Sequence, residues 1–214
     1  MNDVKSTSYA VDMATRSLRG AARRRAAPES VDRVLAAAER LIRADEFHSA
    51  TMDELAAAAG VSRATVFNRF GSKLGVLHAL FARGIESPEM EAIRAALELE
   101  DPVEALDALI GAACAIWESR GFIHEQLQAI AILEPDASAL VRQQQEDQRA
   151  DLRALTQRLA RAGRLRPELT AARAAAALHM LTSLESFLQL RREYGLSLRQ
   201  TRETIAELAQ TLLR

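Results

Sequence analysis

Within eleven residues, from Arg63 to Lys73, the chain gathers side chains suited to nucleic acid: Arg63, Thr65, Asn68, Arg69 and Lys73. An arginine can bridge two acceptors on a guanine edge and an asparagine can pair with adenine, while lysines and hydroxyls suit phosphate oxygens. Catalytic chemistry is poorly served by comparison. The four histidines, His48, His78, His124 and His179, show no HExxH or Cys-x-x-Cys spacing, and no Gly-rich phosphate loop is present. Cys114 and His124 are the one conceivable nucleophile pair; ten residues apart, they would face differently on one helix, and Gly121 is expected to divide them. No catalytic residue, metal ligand or cofactor is assigned, and the chain is not expected to be an enzyme.

The elements around those residues must position them. In TMDELAAAAGVSRATVFNRFGSK, Thr51 to Lys73, Thr51 and Glu54 form an S/T-x-x-E capping box, so a helix should start at Met52 and end by Ala59. Gly60 is the residue that most easily takes positive φ at a helix end, and Val61 turns inward at the corner. Ser62 caps the next helix, Arg63 to Arg69, which buries Val66, packs Phe70 at its end and leaves Arg63, Ala64, Thr65, Phe67, Asn68 and Arg69 for the outer face. Ala56 stands where two crossing helices would touch and only a small side chain fits. This is the grammar of a helix-turn-helix, whose second helix lies in the major groove.

The longer signature, GVSRATVFNRF followed by GSK opening another helix, resembles the TetR family of one-component regulators. The resemblance covers roughly Val31 to Ile85 and implies an all-α fold: a three-helix helix-turn-helix domain joined by a connecting helix to a C-terminal helical ligand-binding and dimerisation domain. It puts Arg63, Ala64, Thr65, Phe67, Asn68 and Arg69 at the DNA surface and Thr51 and Lys73 on phosphates. Two positions depart from the family's habit. Phe67 replaces a frequent Tyr and cannot reach a phosphate through a hydroxyl, and Arg69 stands where a bulky residue is more common.

Composition agrees with helices. Hydrophobic residues make up 49% of the 214, with only 4% aromatic, which fits Ala/Leu-rich helices better than sheet. The net charge is −1, but residues 1–84 carry thirteen basic against nine acidic residues while residues 85–214 carry fifteen against twenty. The positive half is the half with the motif, as DNA binding requires. One cysteine fits a reducing compartment, and without an apolar run of about 18 residues no membrane span is expected. The chain is expected to be cytoplasmic.

Residues 1–27 hold Arg16, Arg19, Arg23, Arg24 and Arg25 and are read as a flexible arm, which either follows DNA or is merely solvated. Residues 28–85 form the DNA-binding domain, opened by a helix over Glu29 to Ala44 with Val31, Val34, Leu35, Ala38, Leu41 and Ile42 on one face. Phe47 is expected in the core and His48 outside it. Residues 86–214 form the second domain, with helices expected over Glu89–Leu99, Val103–Ser119, Phe122–Leu133, Ala137–Ala162, Ala171–Leu190 and Leu198–Leu213. The last shows Leu198, Ile205, Leu208 and Leu212 in a stripe. The polar run QQQEDQRAD interrupts the long helix and is read as a solvated face or a pocket wall.

The Ala-rich segment is apolar on nearly all sides, which implies a partner. By the resemblance, residues 171–191 and 198–213 would form the four-helix interface of a homodimer that binds a palindromic operator in double-stranded DNA. The same resemblance implies a pocket for a small-molecule effector of unknown identity, with Trp117, Phe122, His124, Met180, Glu185 and Phe187 as candidate lining residues. The competing readings are a helical ligand-binding or adaptor protein, or an enzyme, without sequence-specific DNA binding.

Overall fold

The computed structural model describes residues 29–214. The Arg-rich stretch up to residue 27 lies outside them. Among the described residues every regular element is a helix, apart from one antiparallel bridge between Leu165 and Leu213. The chain divides into two compact units between Leu80 and Phe81. That point lies inside a helix, whereas the sequence reading placed the boundary at the end of it.

In the first unit, α1 (residues 29–43) buries Val34, Leu35, Ala38 and Ile42 of the expected stripe, together with Ala37, and leaves Val31 and Leu41 half-buried. Phe47 is buried from the loop that follows, and His48 is exposed. Two short helices come next, α2 (Met52–Ala59) and α3 (Arg63–Phe70), then α4 (Lys73–Ile85). Val76, Leu77 and Leu80 of α4 are fully buried.

The second unit contains α5 (Pro88–Glu98), α6 (Pro102–Ala131), α7 (Pro135–Arg161), α8 (Ala171–Leu181), α9 (Leu184–Leu188) with a π-helical turn over Gln189–Glu193, and α10 (Leu198–Gln210). Its prolines open helices: Pro88, Pro102 and Pro135 each stand first, where the missing N–H has no partner to lose. Leu106, Ile110, Leu152, Leu155, Leu159, Leu178 and Ile205 build one core from α6, α7, α8 and α10. Ion pairs tie the tail of the chain to α6. Arg191 meets Glu118 at 3.0 Å, Arg192 grips both carboxylate oxygens of Glu125 at 2.6 and 2.7 Å, and Arg202 meets Asp107 at 3.1 Å.

Two expectations are corrected. Gly121 does not divide α6, which runs unbroken for 30 residues. A glycine costs a helix about 1 kcal/mol relative to alanine, little against the burial along α6. Its missing Cβ also admits Leu184, whose Cδ1 comes within 3.0 Å of where that atom would be. The Ala-rich helix, expected to run to Leu190, stops at Leu181. Thr182 turns its hydroxyl back to the Leu178 carbonyl at 2.8 Å, and Ser183 Oγ accepts the Ser186 N–H at 3.1 Å, so local hydroxyls cap two helices in place of one ladder. In α10, Thr201, Ile205 and Ala209 are buried, and Leu198 and Leu208 of the expected stripe stand exposed in the single chain.

Candidate functional site

The pair α2–α3 is fixed by its ends. Thr51 N–H donates to Glu54 Oε2 at 2.7 Å and Glu54 N–H returns to Thr51 Oγ1 at 3.2 Å, a complete capping box. The Thr51 backbone donor, then its hydroxyl, hold the Glu54 carboxyl below its ordinary range. Gly60 closes α2 at φ +62°, and the Val61 N–H reaches back to the Ala56 carbonyl at 3.0 Å. Two arginines of α1 complete that end: Arg40 donates to the Ala58 carbonyl at 3.0 Å and Arg33 to that of Gly60 at 3.3 Å. No sequence signal singled out either one.

Ser62 Oγ accepts the Thr65 N–H at 3.1 Å and sits 2.8 Å from the Thr65 hydroxyl, which starts α3. One residue of that helix, Val66, is buried. Arg63, Ala64, Phe67, Asn68 and Arg69 are exposed and Thr65 is half-buried. Phe67 is 61% exposed, an aromatic ring offered to solvent. Arg63 reaches Asp53 at 3.4 Å with both side chains largely in water, so little holds it there. After α3, Gly71 takes φ +71°, and a Cβ on Gly75 would fall 1.8 Å from the Phe70 carbonyl oxygen. Only glycine lets α4 start this close to the end of α3.

The two expected phosphate contacts, Lys73 and Thr51, are both engaged within the protein. The Lys73 ammonium donates to the carbonyls of His48 and Ala50, both at 2.7 Å, and lies 5.2 Å from the Phe47 ring centre. Burial pushes its pKa down, and the Glu54 carboxylate opposes that. Here Lys73 fastens the loop before α2, and the Thr51 hydroxyl is likewise engaged with Glu54.

The second unit encloses a cavity of about 270 Å³ between α6, α7, α5 and the end of α4. Of the six candidates, Trp117 and His124 line it. Phe187 is buried in the core, Met180 is 70% exposed, Glu185 accepts from Gln128 at 3.0 Å, and neither these three nor Phe122 is part of the lining. The sequence reading missed Phe81, Ile85, Met90, Ile93 and Arg120; Gln143, Gln144, Asp147, Gln148 and Asp151 belong to the polar interruption of α7, for which it had left a solvated face and a pocket wall both open.

Trp117 donates from Nε1 to the Thr182 carbonyl at 2.8 Å, and His124 stands edge-on to Trp117 and Phe81 with ring centres 4.9 and 5.2 Å away. Burial pushes the His124 pKa down to about 4 against a hydrogen bond with Gln144, so the ring is neutral at physiological pH. Burial, then the neighbouring Asp147, raise the Asp151 carboxyl. Cys114 is also buried, which lifts its thiol to about 11. Among the described residues, no three His, Cys, Asp or Glu side chains are grouped to hold a metal, and no helix is long and apolar enough to cross a membrane.

Comparison with known proteins adds a family model for part of the first unit and a fold for the chain. Residues 34–80 match the family model of bacterial regulatory proteins, tetR family. No curated relative matches the chain by sequence. Among solved structures, the chain is similar to the TetR-family transcriptional regulator PfmR of Thermus thermophilus, with 24% identity, TM-score 0.68, and 85% of this chain and 98% of that one covered. A transcriptional regulator from Saccharomonospora viridis, solved with choline, aligns at 20% identity and TM-score 0.74 over 87% and 98% of the two chains. AibR, solved with isovaleryl coenzyme A and operator DNA, aligns at 19% and 0.67 over 84% and 97%.

Proposed function

We propose that this chain, whose residues 34–80 are a tetR-family DNA-binding domain within the fold of TetR-family transcriptional regulators, is a repressor that binds a palindromic operator as a homodimer and leaves it when a small molecule fills the α6–α7 cavity. The observation that carries the DNA-reading part is the state of α3. Its one buried residue, Val66, anchors it, while Arg63, Ala64, Phe67, Asn68 and Arg69 stand exposed on a helix capped at both ends. Such a helix presents base-reading groups at no cost in further ordering of its backbone. Asn68 and Arg69 are the base readers, for adenine and guanine edges respectively, and Phe67 suits a thymine methyl. Thr51 and Lys73, which are occupied within the protein, set the angle and depth of the reading head.

Dimerisation follows from what α3 can reach. Eight residues at 1.5 Å each span roughly 12 Å, a few base pairs, and two-fold symmetry doubles that onto half-sites about one helical turn, roughly 34–36 Å, apart. The apolar positions Ala172, Ala176 and Met180, at four-residue spacing on α8, are exposed in the single chain and supply a face for the second copy. An effector that binds one conformation better lowers DNA affinity by the same factor by which DNA lowers its own. Different effectors in structures sharing this fold, choline in one and isovaleryl coenzyme A in another, are consistent with a cavity whose lining sets the ligand.

The test is a double variant, Asn68→Ala with Arg69→Ala, measured against operator DNA selected from a random pool with the unaltered protein. Each lost base contact weakens binding by about 1–3 kcal/mol and relaxes the selected sequence at its own position. Undiminished specific binding by the variant would remove α3 from the role of reader.

A further inference from the structure

We infer that Arg33 and Arg40 of α1 are positioning residues for the reading helix: together they hold the carbonyl end of α2 and the turn that aims α3, and neither contacts DNA. This rests on the reading of α3 as the DNA reader and adds the residues that hold its turn.

The end of α2 cannot finish itself. An α-helix leaves its last four carbonyls without partners inside the helix. From Leu55 to Gly60 the chain runs LAAAAG, so no side chain there offers a donor, and no basic residue stands in the last turn. The Gly60 N–H answers the carbonyls of Ala56 and Ala57, and the Val61 N–H reaches Ala56 as well. The Ala58 and Gly60 carbonyls are met from α1. Arg40 Nη2 donates to the first at 3.0 Å and Arg33 Nη1 to the second at 3.3 Å. Seven residues apart, the two arginines stand two turns from each other on one face of α1, and so span the last turn of α2 and the bend after it. Their charge also meets the negative end of the α2 dipole, for which α2 has no cation of its own.

That end is a lever on α3, which has few other anchors. α3 buries one residue, Val66, and its cap, Ser62, lies two residues after Gly60. Gly60 sits at φ +62°, and Arg33 Nη1 lies 3.8 Å from where a Cβ on it would be, so the guanidinium covers the turn as well as bonding to it. A rotation of the peptide plane after Gly60 therefore carries into the direction of α3.

Two other roles are open to exposed arginines in the basic half of the chain. As phosphate contacts they would bring phosphate to the carbonyl end of a helix, where the dipole repels it. As solvated charges they would bond to nothing, yet each reaches a carbonyl 18 or 27 residues away. Each spends one donor on one carbonyl, so the ammonium of a lysine can do the same and a side chain without a donor cannot.

Full-length Arg33→Ala and Arg40→Ala, each beside its lysine counterpart, Arg33→Lys and Arg40→Lys, are measured against operator DNA selected from a random pool with the unaltered protein. A duplex of unrelated sequence is measured in parallel, at salt from about 50 to 200 mM. Expected in each alanine variant are a roughly tenfold loss of operator affinity, a loss below about twofold on the unrelated duplex, and an unchanged slope of affinity against salt. Lysine restores operator affinity to within about threefold. Thermal melts check that each variant is folded at the temperature of measurement; where alanine is not tolerated, Arg33→Met and Arg40→Met, which keep the stem and lose the donors, take its place with the same expectation. A slope that falls by about one for each arginine lost, with both duplexes weakened alike, makes these residues phosphate contacts and overturns the inference. Operator affinity that survives both alanine substitutions, or a loss that lysine does not recover, overturns it as well. An unaltered protein that selects no sequence from the pool overturns the reading of α3 and this inference with it, whereas a variant indistinguishable from the unaltered protein on its selected operator overturns the inference alone.

Discussion

His124 couples the cavity to acidity. Its ordinary pKa near 6.5 is pushed to about 4 in the fold, chiefly by burial. As pH falls through about 6.5, the unfolded chain takes up a proton that the folded ring refuses, so stability drops by up to about 3 kcal/mol by the time pH reaches about 4, and no further below that. His124→Phe keeps an aromatic ring between Phe81 and Trp117 and removes the titration. Thermal melts at pH 7 and pH 5 should show the unaltered protein losing more of its melting temperature than the variant; equal losses would mean that another group sets the acid limit. Cys114 has the opposite character. Held as a thiol by burial, it lacks the thiolate that a nucleophile requires, which weighs against the Cys114–His124 pair. Lys73, read as a phosphate contact from its place in a first helical turn, fastens two loop carbonyls instead, because the chain 23 and 25 residues earlier folds back beneath it.

Among the elements, α3 depends most on a single atom, the Ser62 hydroxyl oxygen. Ser62→Ala removes the acceptor of the Thr65 N–H and the partner of the Thr65 hydroxyl, and should cost about 1 kcal/mol in stability, read by chemical denaturation, with a matching loss in operator affinity. Stability unchanged by that variant would place the start of α3 under other control. This cap was legible in the sequence, as were the Thr51–Glu54 box, Gly60 and the burial of Val66, because each follows from contacts within four residues. The errors lie where distant chain decides. Gly121 looked like a break because glycine ends isolated helices, yet Leu184, 63 residues on, packs against it. The Ala-rich run looked continuous because hydroxyl capping at Thr182 and Ser183 competes only weakly on propensity. The cavity was half-visible: Trp117 and His124 stood out by type, but the run QQQEDQRAD could be assigned to solvent or to a wall only once α6 lay beside it. Arg33 and Arg40 cap α2 from 27 and 18 residues away, beyond any local pattern.

At the scale of the molecule, the two units divide the labour that the charge asymmetry first suggested, with the reading helix in the first and the cavity in the second. The assembly is the remaining requirement. Met180, 70% exposed on the outer face of α8, is dispensable for the fold of one chain and central to the face proposed for the second copy. Met180→Asp should leave the melting temperature of dilute protein nearly unchanged, shift the sedimentation coefficient to that of a monomer, and abolish binding to a full operator. A variant that sediments as a dimer would move the interface elsewhere.

The hydrogen bond from Trp117 to the Thr182 carbonyl links the proposed pairing face to the cavity. Thr182 both lines the cavity and closes α8, one residue after the last of that helix and two after Met180. A ligand that displaces the indole therefore also displaces the end of the helix on which the second copy is proposed to rest. On the proposed function, sensing and pairing would then draw on a common contact, and the amount of chain would become a second input: abundant chain, already paired, would answer a given effector concentration differently from scarce chain.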